Sequence, residues 1–203
     1  PLFRPYLHPS EQQMTDVLRA LIPAMWLLWL AYWVLAGRNN KAALRRENSL
    51  SRLSHYGPLI LGGALIGIPN SAGRVLELPF HAVTPGWLLA ATALVAAGLG
   101  FSALARLWLG RNWSAQVTVK QDHELIRSGP YALVRHPIYA GALLALLGTA
   151  ISVDKWRAVL GFVLIVMAFV RKLTIEERFM SEQFGDAYAR YRAEVPALIP
   201  FVA

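Results

Sequence analysis

Apolar runs about as long as a lipid hydrocarbon core is thick constrain this chain more than any other feature. The first, Val17–Ala36, holds roughly 20 residues, which as a helix rising 1.5 Å per residue covers about 30 Å. Further runs lie at Leu53–Pro69, Pro85–Leu109 and Pro137–Ile151. A fifth begins near Trp156, and its apolar part ends near Val170. Hydrocarbon offers no hydrogen-bond partner to a bare backbone, so such runs are helices. The expected fold is an all-α integral membrane bundle of about five transmembrane helices. It reads as a single domain, 1–203, with helices one to three over 17–105 and the chemistry in the C-terminal half, 106–203. Composition agrees, since 56% of the 203 residues are hydrophobic and only 16% are charged.

Local signals set the ends of these helices. Pro1–Asp16 is polar and proline-rich, an irregular or interfacial lead-in in which no cleavable signal peptide is expected. Trp26, Trp29, Tyr32 and Trp33 suit an interfacial or packing role in the first span, and Pro23 is expected to kink it. Gly57, Gly62, Gly63 and Gly67 in the second span, with Gly98 and Gly100 in the third, predict close helix packing, within one chain or between copies in a homo-oligomer. The fourth span is short for a full crossing. The fifth helix should continue as a polar extension through Arg171–Phe184 and stop at Gly185. A short helix, Asp186–Arg192, and an extended apolar tail follow.

The net charge of +8 would suggest nucleic acid in a soluble protein. Here the basic residues alternate with apolar runs, so the expected partners are membrane lipids and no nucleic acid. Five lysines and arginines follow span one (Arg38, Lys41, Arg45, Arg46, Arg52), and five follow span three (Arg106, Arg111, Lys120, Arg127, Arg135). Five more lie in the C-terminal segment (Arg171, Lys172, Arg178, Arg190, Arg192). The excess places these three segments on the cytoplasmic side. The chain has no cysteine, hence no thiol nucleophile and no cysteine-based metal site.

Three stretches on that side stand out. Arg135-His136-Pro137-Ile138-Tyr139 turns a basic loop into a helix, with Pro137 at a first-turn position where its missing N–H costs nothing. It reads either as an interfacial anchor or as a ligand site at a helix N-terminus. Glu176-Glu177 stands near the end of a helix, where the dipole disfavours acids. Two acids there call for a partner, either basic side chains such as Lys172 one turn earlier or a cationic ligand. The third stretch is Tyr188-Ala189-Arg190-Tyr191-Arg192 with the apolar Val195–Val202. It reads either as a helix packing on the bundle followed by an interfacial tail or as a lid that excludes water. No metal site is expected, because a lone His136 and His123 fall short of a ligand set.

Taken in order, these elements resemble the isoprenylcysteine carboxyl methyltransferase family of membrane enzymes. The match starts at Leu109-Gly110-Arg111-Asn112-Trp113-Ser114 and runs through Leu125–Gly141. It resumes at Glu176-Glu177 and ends at Phe184–Tyr191 and Val195-Pro196. It covers the C-terminal half; the first two spans match only as generic membrane helices. Phospholipid methyltransferases and membrane sterol reductases share parts of the same architecture, which widens the range of substrates.

The resemblance implies S-adenosyl-L-methionine as methyl donor, bound on the cytoplasmic side. It carries donor contacts to Gln116 and, around the adenosine, to His123, Glu124, Leu125 and Ile126. Tyr131, Arg135, His136, Pro137, Ile138 and Tyr139 fall on the donor-binding core, and Glu176 on the acid that binds the donor. One turn before that acid, eukaryotic members have an arginine assigned to the substrate carboxylate. This chain has Lys172, which keeps the charge and loses the bidentate fork; Arg171 or Arg192 is the other basic candidate for the acceptor. The implied reaction is methyl transfer to the carboxylate of an isoprenylcysteine-like or other lipidic acceptor. Two alternatives stay open: N-methylation of a phospholipid amine, with Glu177 or a tyrosine as base, and a non-catalytic lipid-binding protein.

Overall fold

A computed structural model of the chain describes residues 8–37, 43–46, 48–110, 113, 118–120 and 125–200. In chain order the elements are α1 (Pro9–Ala36), β1 (Ala43–Arg46), α2 (Ser49–Gly67), α3 (Gly73–Leu76), α4 (Pro85–Leu109), β2 (Thr118–Lys120), α5 (Pro130–Leu133), α6 (Pro137–Val153), α7 (Trp156–Phe184) and α8 (Asp186–Glu194). Among the described residues α1, α4 and α7 are long and apolar enough to cross a membrane, and α6 is a shorter apolar helix. The protein is an integral membrane protein built of helices.

Most helix ends fall where the sequence puts them. Thr84 caps α4 by accepting the Trp87 N–H, and Pro85 takes the first helical position. Gly185 stops α7 at φ +49°, a left-handed value suited to glycine. Two starts differ from expectation. The polar residues 9–16 are not irregular: they are the first turns of α1, because the His8 N–H donates to Glu11 at 3.0 Å and Pro9 occupies the first position. Residues 49–52 likewise join α2. The helix runs through Pro23 without interruption. The sequence does not announce the antiparallel pairing of β1 with β2, which joins the connection after α1 to the connection after α4.

Close approach between backbones holds the helices together. A Cβ on Gly62 would lie 2.5 Å from the Gly161 carbonyl oxygen, so α2 and α7 meet backbone to backbone. A Cβ on Gly98 would lie 2.5 Å from the Ala145 nitrogen, and one on Gly141 would lie 2.7 Å from the Ser102 nitrogen, so α4 and α6 do the same. Gly57, Gly63, Gly67 and Gly100 have open space instead. The packing face foreseen for each helix is thus real at one glycine, and its partner is in the same chain. α1 leans on this unit through Ile22, which packs with Val95, Leu99 and Ala145.

Buried arginines close the helix ends. Arg106 donates to Ala36 at 2.6 Å and to Gly110 at 2.7 Å, tying the ends of α1 and α4. At the opposite end Arg157 donates to Leu65 and Ile66 and pairs with Glu77 at 2.9 Å. Trp156 N–H donates to Leu78 there, so α3 and the α6–α7 turn share that end. The β1–β2 pair, the start of α6 and the far end of α7 share the other. The described parts of the three basic segments therefore share that end.

Candidate active site

The site forms where α6 starts and α7 leaves the bundle. Glu176 is 20 residues after Trp156, about 30 Å along the helix, or one hydrocarbon thickness. Its contacts with His136 and Tyr139 set it beside the start of α6. The approach to α6 is shaped by Gly129, where φ is +60° and the Trp108 ring fills the space a side chain would need. Trp108 also donates to Ser128 at 3.1 Å. The turn of α5 buries Tyr131, and Val134 and Pro137 are fully buried behind it. Arg135 and His136 are thereby turned toward α7.

Successive residues on a helix point about 100° apart, so the tandem acids take different partners. Glu177 accepts from Arg135 Nε at 2.8 Å and Nη2 at 2.6 Å, in an ion pair only 9% and 10% exposed. His136 Nε2 lies 3.3 Å from the same carboxylate, and Arg192 Nε lies 3.7 Å away. Glu176 faces α6. It accepts from the Tyr139 hydroxyl at 2.5 Å, lies 3.6 Å from His136 Nδ1, and keeps 23% of its side chain exposed. Lys172 Nζ, one turn earlier, sits 5.4 Å from the centre of the Tyr139 ring. His136 and Tyr139 stack at 5.7 Å, and Tyr139 meets Phe169 of α7 at 4.9 Å.

The C-terminal segment closes one side. Arg135 N–H donates to Pro196 at 2.8 Å, and His136 N–H donates to Ala197 at 3.0 Å. Arg135 Nη1 donates to the carbonyls of Arg192 and Val195. The Tyr191 hydroxyl donates to the Tyr131 carbonyl at 2.6 Å, and Arg127 pairs with Glu194.

Electrostatics follow from these contacts. Burial alone would lower the His136 pKa, but the hydrogen bonds and charges of Glu176 and Glu177 outweigh it and raise the pKa above its ordinary value. Burial raises Tyr131 and Tyr188, and it pushes Tyr191 up to about 12 against the lowering effect of Arg135 and Arg127. These three tyrosines are therefore neutral hydroxyls at physiological pH and poor proton acceptors.

Of the residues named from the sequence, the structure brings together Arg135, His136, Pro137, Tyr139, Glu176, Lys172 and Arg192. Tyr131 stands behind them in the core, and Leu125, Ile126 and Ile138 are half-buried. Gln116, His123 and Glu124 lie outside the described residues. Arg171 is directed away from the acids and donates to Ser54 of α2 at 3.3 Å. Tyr188 and Tyr191, which the sequence singles out as part of a helix packing on the bundle, are both buried on one face of α8. The basic partner demanded by the tandem acids turns out to be Arg135, 42 positions earlier.

The chain is similar to several known proteins. The family model described as Phospholipid methyltransferase matches residues 87–187, the segment that contains α4 to α7. The chain is 36% identical over 118 residues to protein-S-isoprenylcysteine O-methyltransferase of Schizosaccharomyces pombe, covering 58% of this chain and 46% of that protein. It is 29% identical over 118 residues to protein-S-isoprenylcysteine O-methyltransferase B of Arabidopsis thaliana, covering 58% of this chain and 55% of that protein. The chain thus spans about half the length of these curated relatives. The solved structure of a eukaryotic intramembrane Ras methyltransferase, isoprenylcysteine carboxyl methyltransferase, superposes with a TM-score of 0.53 at 22% identity. The superposition covers 76% of this chain and 52% of that one, a likeness of fold.

Proposed function

We propose that the chain is a membrane methyltransferase of the kind that includes the phospholipid and isoprenylcysteine enzymes it resembles, and that it methylates the carboxylate of an isoprenylcysteine-like or other lipidic acceptor, with S-adenosylmethionine as donor. The observation that carries the reading is the division of labour between the tandem acids. Glu177 is tied to Arg135 at 2.6 Å, whereas Glu176 is partly exposed, accepts from the Tyr139 hydroxyl and lies 3.6 Å from His136 Nδ1. An ammonium group fits beside Glu176, as the donor's amino acid moiety requires. Tyr139 and His136 supply flat, stacked surfaces next to it. Of the segment that the resemblance assigns to the adenosine, Leu125 and Ile126 are half-buried and would line it.

When bound, the donor supplies an electrophilic methyl group on a sulfonium, which an ionised carboxylate takes without a general base. The chain's own task is then to align and to exclude water. Alignment is worth up to about 7–11 kcal/mol of a barrier, and burial strengthens the charges that hold both reactants. Lys172, beside Tyr139, is placed to hold the acceptor carboxylate, and Arg192 offers a second cation from α8. An amine acceptor would need a base instead, yet Glu177 is tied to Arg135 and Tyr131, Tyr188 and Tyr191 hold their protons. The basic end of the bundle, with about five spans crossing behind it, faces the cytoplasm. The lipid part of the acceptor enters from the bilayer.

Calorimetry with S-adenosylhomocysteine tests the reading. The purified protein should bind, and Glu176→Ala and His136→Ala should each lose detectable binding. Lys172→Ala should leave that affinity within about twofold and raise the acceptor KM. A wild-type protein without affinity for S-adenosylhomocysteine ends the proposal.

A further inference from the structure

We propose that Arg135 and Glu177 are positioning residues: their ion pair clamps the C-terminal tail across the start of α6 and so fixes His136 against Glu176. The inference deepens the function proposed above and rests on it for the ligand, though not for the clamp. The guanidinium is committed on three sides. Its Nε and Nη2 face Glu177, and its Nη1 donates to the backbone carbonyls of Arg192 and Val195. Such a fork has little left to offer a ligand. The same two residues that precede α6 also carry the backbone pairing, through Arg135 N–H to Pro196 and His136 N–H to Ala197.

Each part has a consequence for the next. Glu177 holds the guanidinium in the plane that reaches the tail. The tail holds the backbone of His136. His136 then spans both acids, with Nε2 on Glu177 and Nδ1 toward Glu176. Val195 leaves helical geometry with an extended backbone, so its carbonyl points across the chain to Arg135 instead of along α8. Tyr191 and the Arg127–Glu194 pair fasten α8 on the α5 side, so the wall is held at both ends. The tandem acids therefore divide: Glu176 meets the ligand, and Glu177 builds the wall beside it.

The test uses the purified full chain with Arg135→Gln, Glu177→Gln, the double variant and Arg135→Lys. Hydrogen exchange at the Arg135 and His136 amides, without ligand, reads the clamp directly. Both single variants should speed that exchange and weaken S-adenosylhomocysteine binding roughly tenfold, and the double variant should be no worse than the weaker single, because one interaction is being removed. Arg135→Lys preserves charge and tolerates folding, but cannot reach both Glu177 and the tail carbonyls, so it should speed exchange with a smaller loss of affinity. Losses that add in the double variant would mean two independent ligand contacts and overturn the proposal. So would unchanged exchange, or faster exchange with unchanged affinity. If the wild type binds no S-adenosylhomocysteine, the function proposed above fails, and the exchange arm alone decides the clamp.

Discussion

His136 links two carboxylates that come from one helix to a backbone held by the tail, so its charge state matters to the fold as well as to the site. Its pKa is raised: burial opposes the proton, and Glu176 and Glu177 together favour it more strongly. The sign follows from linkage. Protonated His136 stabilises the folded chain fully below the unfolded value of about 6.5, and that contribution is lost as pH rises through the raised folded value. Thermal unfolding in detergent should therefore show stability falling as pH climbs above about 6.5, and His136→Gln should flatten the dependence; an unchanged slope in that variant would contradict the assignment. The residue types at this site were legible in the sequence, because a helix start rich in polar groups and two acids near a helix end are each costly without a purpose. The pairing was not. Arg135 and Glu177 are 42 positions apart, and the tail carbonyls that complete the clamp come from irregular backbone, which carries no periodic signal.

Helix elements were the most readable part of the chain, because a hydrocarbon layer forces every apolar run to satisfy its own backbone. The residues 9–16 escaped that logic, since a polar first turn depends on a cap and not on apolar content. The β1–β2 ladder escaped it as well, being a contact between two connections far apart in sequence. At the packing faces, composition could flag glycines but could not say which ones face a neighbour. Gly98 and Gly100 separate the two cases. A Cβ at 98 meets α6 backbone, whereas at 100 it meets nothing. Gly98→Val should lower stability by about 1–3 kcal/mol through overpacking. Gly100→Ala should be neutral or stabilising by up to about 1 kcal/mol, from helix propensity. Melting curves of the two variants in one detergent compare them; equal losses would refute the packing described for α4 and α6.

Across the whole molecule, alternating helices bring the ends of α1, α4 and α7 and the starts of α2 and α6 to one side, and the described parts of the basic segments collect there. α7 is the longest element, and its last turns carry the acids clear of the apolar layer while its first turns stay within it. The donor site proposed at that edge would meet a water-borne cofactor on one side and a lipid on the other. The most direct measurement supplies radiolabelled S-adenosylmethionine to the purified protein with either N-acetyl-S-farnesylcysteine or phosphatidylethanolamine. Label should appear in a base-labile methyl ester of the farnesylated amino acid and not in the phospholipid. Label in phosphatidylethanolamine alone, or in neither acceptor while S-adenosylhomocysteine still binds, would contradict the proposed reaction.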